Sequence, residues 1–375
     1  MSPTETRVRE ALGRVLDPEI RRPITDLGMV RSVAVEGADV AVEVSLTTAG
    51  CPLRAQLERD VTREVSAVEG VASVRVALGV MDDAQRAALK DVLRGGRPAR
   101  EVPFGPASLT RVVAVASGKG GVGKSSVTVN LAAAMAADGL RVGVLDADVH
   151  GFSVPRMLGV TTAPTRVDDM IIPPVAHDVK VVSIGMFTQG NAPVVWRGPM
   201  LHRTLEQFLT DVHWGDLDVL LLDLPPGTGD IAISVAQLLP GAELLVVTTP
   251  QAAAAEVAER AGAVARQTQQ AVAGVVENMS WMEMPDGSRV EVFGSGGGEA
   301  VVERLGDLLR VPVPLLGQVP LDVRVREGGD AGVPLVLSAP DSPAARALRE
   351  VARGLSRPRG LAGRPLGLTP VRAAG

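Results

Sequence analysis

The chain has 375 residues, enough for two folded domains, since domains usually contain about 100–200 residues. A hydrophobic fraction of 46% with 22% charged residues is typical of globular proteins and excludes a disordered chain. The formal net charge of −5 and the 2% aromatic content, without tyrosine, argue against nucleic acid as a partner, because they provide neither a basic field nor rings for base stacking.

The cysteine content and the hydropathy of the chain indicate its cellular compartment. Cys51 is the single cysteine, so no disulfide can form within the chain, and this favours a reducing environment. The N-terminus is polar and acidic, unlike a secretory signal, and no run reaches the roughly 20 apolar residues of a membrane span. We therefore expect a cytoplasmic protein with no stable membrane association.

The first 95 residues predict a small α+β domain. Val8 and Leu12 lie at helical spacing, and residues 40–46 alternate between apolar and other side chains as in a half-buried strand. Residues 53–65 repeat an apolar side chain every four positions, which predicts a second amphipathic helix, and residues 71–80 supply another strand. The predicted order is helix, strands, helix, strand, helix.

A Gly/Pro-rich stretch without periodicity predicts a linker at 96–108. The segment 109–356 follows, where short apolar runs alternate with longer helical patterns, and this predicts a doubly wound, mainly parallel sheet. The runs are residues 112–116, 142–145, 219–222, 244–247 and 272–276. Residues 357–375 are predicted to form an irregular tail without the basic amphipathic helix of a membrane anchor.

The sequence SGKGGVGKSS at 117–126 lies between the strand at 112–116 and a helical pattern at 127–137. This is the spacing and the context of a Walker A loop, whose backbone N–H groups and helix N-terminus face phosphates. Lys124 is expected to neutralise the β- and γ-phosphates of ATP and Ser125 to ligate Mg²⁺. The predicted nucleotide-binding residues of the loop are Gly118, Lys119, Gly120, Gly121, Val122, Gly123, Lys124, Ser125 and Ser126.

Polar residues follow three of the predicted strands, at the edge where open α/β sheets bind ligands. Asp223 ends the strand at 219–222, and a carboxylate there can hold Mg²⁺ through water. Asp146 and Asp148 follow the strand at 142–145. For Asp146 a turn-capping and a catalytic role are both open. Asn278 follows the strand at 272–276 and is either a turn residue or a ligand of the nucleotide base.

The second lysine of the loop, Lys119, makes a family resemblance specific. The segment KGGVGKS at 119–125 resembles the deviant Walker A loop of the family that contains MinD, ParA, the nitrogenase iron protein and the Mrp/ApbC proteins. The resemblance implies a homodimer in which Lys119 reaches the partner's nucleotide, although an exposed lysine without that contact stays open. It also implies that Asp148 orients the attacking water and that Asn278 binds adenine.

Longer stretches resemble the Mrp/ApbC branch, the iron–sulfur cluster carriers. They include LDADVHG at 145–151 (switch I), DLPPGTGD at 223–230 (switch II), ENMS at 277–280, VFGSGGG at 292–298 and GQVPLD at 317–322. The N-terminal unit resembles the fused iron–sulfur assembly domain, through LDPEI at 16–20 and TTAGCPL at 47–53. The resemblance implies a slow, Mg²⁺-dependent ATPase that delivers clusters to apo client proteins.

One departure concerns the cluster. Many carriers place a C-x-x-C pair after Asn-Met-Ser, whereas this chain has WMEMPDG at 281–287 and no cysteine there. Cys51 is the remaining candidate contact for a labile iron–sulfur cluster, and its alternative is a small buried hydrophobe. A MinD/ParA-like positioning ATPase without a cluster and a metabolic kinase are the competing functions. The four histidines lack metal-ligand spacing and are interpreted as structural.

Overall fold

The computed structural model describes residues 3–47, 53–95, 102–105, 108–149, 151–187, 198–227, 230–251 and 254–356. The predicted linker lies partly outside these ranges, and Cys51, His150 and the tail at 357–375 lie wholly outside them. Within the described part of the chain, no helix is long and apolar enough to cross a bilayer.

The N-terminal domain has helices on a three-stranded sheet. Its elements are α1 (Glu5–Leu12), β1 (Val30–Glu36), β2 (Asp39–Leu46), α2 (Arg54–Ser66), β3 (Ser73–Val80) and α3 (Asp83–Arg94). Strand β2 is central, antiparallel to β1 and parallel to β3. The alternating residues Val40, Val42 and Val44 are buried against Leu57 and Val61 of α2, as their periods of two and four predict. Most of the side chains in this hydrophobic core belong to the N-terminal domain.

The second domain is built on one large sheet. Its first half contains β4 (Arg111–Ala116), α4 (Lys124–Ala137), β5 (Val142–Asp146), α5 (Val154–Met157), β6 (Thr165–Val167), β7 (Met170–Ile172), β8 (Val175–Ala176), β9 (Val179–Ser183) and α6 (Gly198–Thr210). Its second half contains β10 (Val219–Asp223), α7 (Asp230–Leu238), β11 (Glu243–Thr248), α8 (Ala254–Thr268), β12 (Val272–Asn278), β13 (Met282–Glu283), β14 (Arg289–Val290), α9 (Gly297–Leu309), β15 (Leu315–Val319), α10 (Val323–Ala331), α11 (Leu335–Ser338) and α12 (Pro343–Ser356).

The sheet order is β15-β12-β11-β4-β10-β5-β9-β8. All neighbouring pairs are parallel except β8–β9, which form an antiparallel hairpin at one edge. The prediction of a doubly wound, mainly parallel α/β sheet is thus confirmed, and the five predicted apolar runs are β4, β5, β10, β11 and β12. The edge hairpin was not predicted, because β8 is only two residues long.

Both faces of the central strands are covered. In β4, Val113 and Val115 enter a core with α4 and α12, while Val112 and Ala114 enter a second core with α6 and α7. Burial on both faces explains why these strands read as continuous apolar runs rather than as alternating ones. The register pairs Asp223 of β10 with Asp146 of β5 and with Val115 of β4. Three strand ends therefore meet at one point of the sheet edge.

Candidate functional site

The loop at 117–123 joins β4 to α4, so the N-terminus of α4 faces the carboxyl edge of the sheet. Gly123 has φ +78°, and a Cβ there would lie 2.3 Å from Nδ2 of Asn278. At Gly118 a Cβ would lie 2.7 Å from Val257. Both positions need glycine, the first for its left-handed backbone and the second for a close approach to α8. The loop has the geometry of a phosphate cradle.

Lys124 lies at the centre of this edge with its side chain only 6% exposed. Its Nζ is 2.8 Å from Asp223 Oδ2 and 3.9 Å from Asp148 Oδ2. The Ser125 hydroxyl donates to the same Asp223 oxygen at 2.6 Å. The structure therefore brings together Lys124, Ser125, Asp148 and Asp223, four residues that the sequence places up to about a hundred positions apart.

The donor set fits a hard cation. Asp223 and Asp148 offer carboxylate oxygens and Ser125 a hydroxyl, which are the ligand types that Mg²⁺ prefers. Among the described residues no group of three or more His, Cys, Asp or Glu side chains could hold a metal ion without help. The usual Mg²⁺ site of nucleotide enzymes has one or two protein ligands that are completed by phosphates and waters, and Ser125 and Asp223 would be such ligands here.

Thr128, one turn after Lys124 on α4, was not singled out in the sequence. It is fully buried, and its hydroxyl lies 2.8 Å from Asp223 Oδ1 and 3.0 Å from the Lys124 carbonyl oxygen. The two oxygens of Asp223 are thus contacted by Thr128 on one side and by Ser125 and Lys124 on the other. The i+4 spacing from Lys124 accounts for the contact with the Lys124 carbonyl oxygen, whereas the contact with Asp223, 95 positions away, has no local sequence signal.

Asp146 stabilises the turn of switch I. Its carboxylate accepts from the Ser183 hydroxyl at 3.1 Å and from the N–H groups of Asp148 and Val154 at 3.2 and 3.3 Å. Burial, reinforced by the neighbouring Asp223 carboxylate, raises the pKa of Asp146 to about 7. These contacts favour the turn-capping alternative for Asp146 over direct catalysis.

Lys119 is directed away from this cluster. Its Nζ donates to Oε1 of Gln251, three residues after β11, at the rim of the site. The neighbouring carbonyl of Gly118 accepts from Arg260 Nη1 of α8 at 3.0 Å. Gln251 has no local sequence signal, because the contact joins two loops 132 positions apart. The action of Lys119 across a dimer stays a prediction.

Asn278, at the end of β12, lines a cavity of about 350 Å³ beside the loop. Its Nδ2 donates to the Val122 carbonyl oxygen at 2.9 Å, and Oδ1 has no hydrogen-bond donor among the described residues. Apolar side chains, among them Met279, Leu321 and Val325, form much of the remaining wall. An acceptor beside an apolar slot is what an adenine ring with its exocyclic amine requires.

The segment where many carriers have C-x-x-C contains no cysteine in this chain. Strands β13 and β14 form a short antiparallel hairpin, with Met282 paired to Val290. The guanidinium of Arg289 lies over the Trp281 ring at 4.3 Å, a cation–π contact that stabilises the hairpin without thiolates.

His177, one of the histidines interpreted as structural, contacts the Gly332 carbonyl oxygen through Nε2 at 2.9 Å.

The parallel sheet, the glycine loop and the lysine at the start of α4 define a nucleotide-binding P-loop NTPase. Residues 108–356 match the family model of the NUBPL iron-transfer P-loop NTPase, ParA. Residues 5–78 match that of the iron-sulfur cluster assembly protein. The chain therefore belongs to the iron-transfer P-loop NTPase family and has an N-terminal domain of the assembly type, so the predicted resemblance is confirmed.

Individual relatives agree with this assignment. The iron-sulfur cluster carrier protein of Mycobacterium bovis is 64% identical over 369 residues, or 97% of each chain. That of Deinococcus radiodurans is 45% identical over 349 residues, covering 92% of this chain and 93% of its own. The nucleotide-binding protein of Archaeoglobus fulgidus, solved with ADP, is 36% identical with a TM-score of 0.51, covering 59% of this chain and 86% of that one.

Proposed function

We propose that the chain is an iron–sulfur cluster carrier that binds ATP and hydrolyses it slowly as a homodimer. The observation that carries the ATPase part is the convergence of Lys124, Ser125, Asp148 and Asp223 below the phosphate loop. The carrier part is supported by the family, in which relatives similar over nearly their whole length are named carriers. This support places the carrier ahead of the MinD/ParA-like positioning ATPase.

Each of these residues has a different role in phosphoryl transfer. Lys124 exchanges its ion pair with Asp223 for the β- and γ-phosphates, whose charge it neutralises. Ser125 and Asp223 would hold Mg²⁺, and the chemistry that this ion supplies is further neutralisation of phosphate charge. Asp148, 3.9 Å from Lys124, orients the water that attacks the γ-phosphate. Lys119 of the opposite subunit adds a positive charge at the transferred group.

The cluster is cargo rather than a resident cofactor. Iron–sulfur clusters ordinarily take four protein ligands, and Cys51 supplies two thiolates to a homodimer. We infer that the remaining ligands come from an apo client protein or a small thiol, so that the cluster is labile and easily transferred. Cys51 itself then makes a transient contact during delivery to the client.

Two substitutions test the roles in ATP hydrolysis. We expect Lys124→Ala to abolish nucleotide binding or turnover, because the phosphates lose their counter-charge, and Asp148→Ala to bind ATP without hydrolysing it. Binding is measured by equilibrium titration with a fluorescent ATP analogue and hydrolysis by phosphate release. Asp341→Ala, which removes an exposed carboxylate remote from the loop, is the control. Equal loss of binding in the Lys124 and Asp148 variants would contradict these roles.

A further inference from the structure

The hairpin formed by β6 and β7 lies between the two domains and contributes to the cores of both. Val167, Met170 and Ile172 are buried in the core of the N-terminal domain. Ile171 points the opposite way, as the period of two in a strand requires, and is buried in the core beneath the large sheet. The hairpin belongs to the second domain in sequence, yet one of its faces completes the core of the first.

A rim of opposite charges surrounds this contact. Asp168 and Asp169 form the turn of the hairpin, and Asp169 pairs with Lys90 and, at 3.2 Å, with Arg94, both on α3. Arg86 Nε approaches Asp168 at 3.6 Å. In each of these pairs the N-terminal domain provides the positive charge and the second domain provides the negative charge. Such complementarity fixes the orientation of two docked surfaces more than it adds affinity.

The LDPEI motif that resembles the assembly domain lies at the same interface. Asp17 accepts from the N–H groups of Glu19 and Ile20 at 3.0 and 2.8 Å and so shapes the turn. Glu19 is thereby directed at the second domain, where its carboxyl accepts from the Thr165 hydroxyl of β6 at 3.0 Å in a buried position. The motif is therefore a docking element for the ATPase domain.

The hairpin is also joined to elements that begin or end at the phosphate site. Ile171 donates its N–H to the Asp211 carbonyl oxygen and accepts from the His213 N–H, both at 2.8 Å, directly after α6. Helix α6 packs on α7, which starts at the end of switch II. On the other side, switch I leads through α5 into β6. The hairpin thus lies on the chain segment that connects the two switches.

We propose that docking of the N-terminal domain on the β6–β7 hairpin preorganises the hairpin together with α5 and α6, and thereby strengthens nucleotide binding. A segment already held by packing loses less conformational entropy when the nucleotide fixes the switches. Because such a linkage is reciprocal, bound nucleotide strengthens the docking by the same factor. The inference rests on the proposed function, in that the site binds a nucleotide.

The test uses the full chain and two ways of loosening the hairpin. Asp169→Lys replaces two attractive pairs by repulsive ones, and Ile172→Ala removes most of a side chain that is buried in the core of the N-terminal domain. The triple variant Asp169→Lys, Lys90→Glu, Arg94→Glu restores the charge pairing with its signs exchanged. Glu303→Lys, on the exposed face of α9, is the matched control for the change of charge.

Hydrogen exchange of residues 165–172 reports docking, and titration with a fluorescent ADP and Mg²⁺ reports binding. We expect Asp169→Lys and Ile172→Ala to accelerate exchange and to raise the Kd roughly fivefold or more, within the usual range of linked sites. In the triple variant, both the exchange rate and the Kd should return most of the way to the parental values. Glu303→Lys should match the parent in both measurements.

Accelerated exchange with an unchanged Kd would overturn the linkage. Exchange that stays at the parental rate in both loosened variants would overturn the docking itself. If the parent chain bound no nucleotide, the proposed function would be wrong, whereas normal binding by the parent and by the loosened variants contradicts this inference alone.

Discussion

The buried carboxyl of Glu19 predicts a specific dependence of stability on pH. Burial, together with the nearby Asp17 and against the hydrogen bond from Thr165, raises the pKa of Glu19 from an ordinary value of 4.5 to about 7. The native protein then retains a proton that the unfolded chain has lost. The contribution of Glu19 to the free energy of unfolding is therefore greatest below pH 4.5, and it decreases as the pH rises from 4.5 through 7.

The size of this effect on the free energy of unfolding follows from the two pKa values. Each unit of difference is worth about 1.4 kcal/mol, so ionised Glu19 costs the native state roughly 3 kcal/mol at pH 8. About 1 kcal/mol of that cost develops between pH 6 and pH 8. Glu19→Gln removes the charge and keeps the shape and the hydrogen-bonding capacity towards Thr165. We expect it to stabilise the N-terminal domain by about 2–3 kcal/mol at pH 8, and by about 1 kcal/mol less at pH 6.

Native-state hydrogen exchange of the core amides around Val42 and Val61 measures the free energy of opening for this domain. Titrating groups that do not interact with Glu19 cancel when variant and parent are compared at the same pH. Glu58→Gln, an exposed carboxyl of α2, is the control and should show no difference at either pH. A Glu19→Gln variant that is less stable than the parent at pH 8, or equally affected at pH 6 and 8, would refute the reasoning.

Two further predictions concern the phosphate site. Thr128→Val removes the hydroxyl beside Asp223 Oδ1, and since a hydrogen bond to a charged group is worth about 1.5–3 kcal/mol, we expect the Mg²⁺ concentration for half-maximal nucleotide binding to rise roughly 10-fold or more. Thr128→Ser should restore it, and an unchanged Mg²⁺ requirement would exclude this positioning role. Mixing Lys119→Ala with Lys124→Ala chains should recover hydrolysis that neither has alone, because one hybrid site combines an intact Lys124 with an intact partner lysine. Verified mixed dimers without phosphate release would exclude action across the dimer.

Much of the fold and site follows from local patterns in the sequence. Strands buried on both faces give continuous apolar runs, so β4, β5 and β10 could be located, and their parallel order brings Asp148 and Asp223 to one edge. The Walker A spacing then identifies Lys124 and Ser125 without further information. The predicted roles of these residues stay predictions, although the structure places the side chains together.

The contacts that could not be predicted are those between distant segments. Ile171 and Ile172 read as two adjacent apolar residues, and only the tertiary structure shows that they enter different cores. The contact of Lys119 with Gln251 likewise has no local signal. Glu19 belongs to the LDPEI motif, but its buried hydrogen bond with Thr165 joins residues 146 positions apart. The domain boundaries at 95/96 and 108/109 stay predictions.

Anaerobic reconstitution with iron and sulfide, followed by transfer to an apo acceptor protein, tests the carrier function most directly. We predict that the parent chain acquires iron–sulfur absorbance in the visible range and activates the acceptor. Cys51→Ala should do neither while hydrolysing ATP at the parental rate, since Cys51 is the single thiolate of the chain. A parent chain that hydrolyses ATP but gains no absorbance and activates no acceptor would contradict the carrier assignment, and a Cys51→Ala variant that transfers a cluster as well as the parent would show that Cys51 is structural.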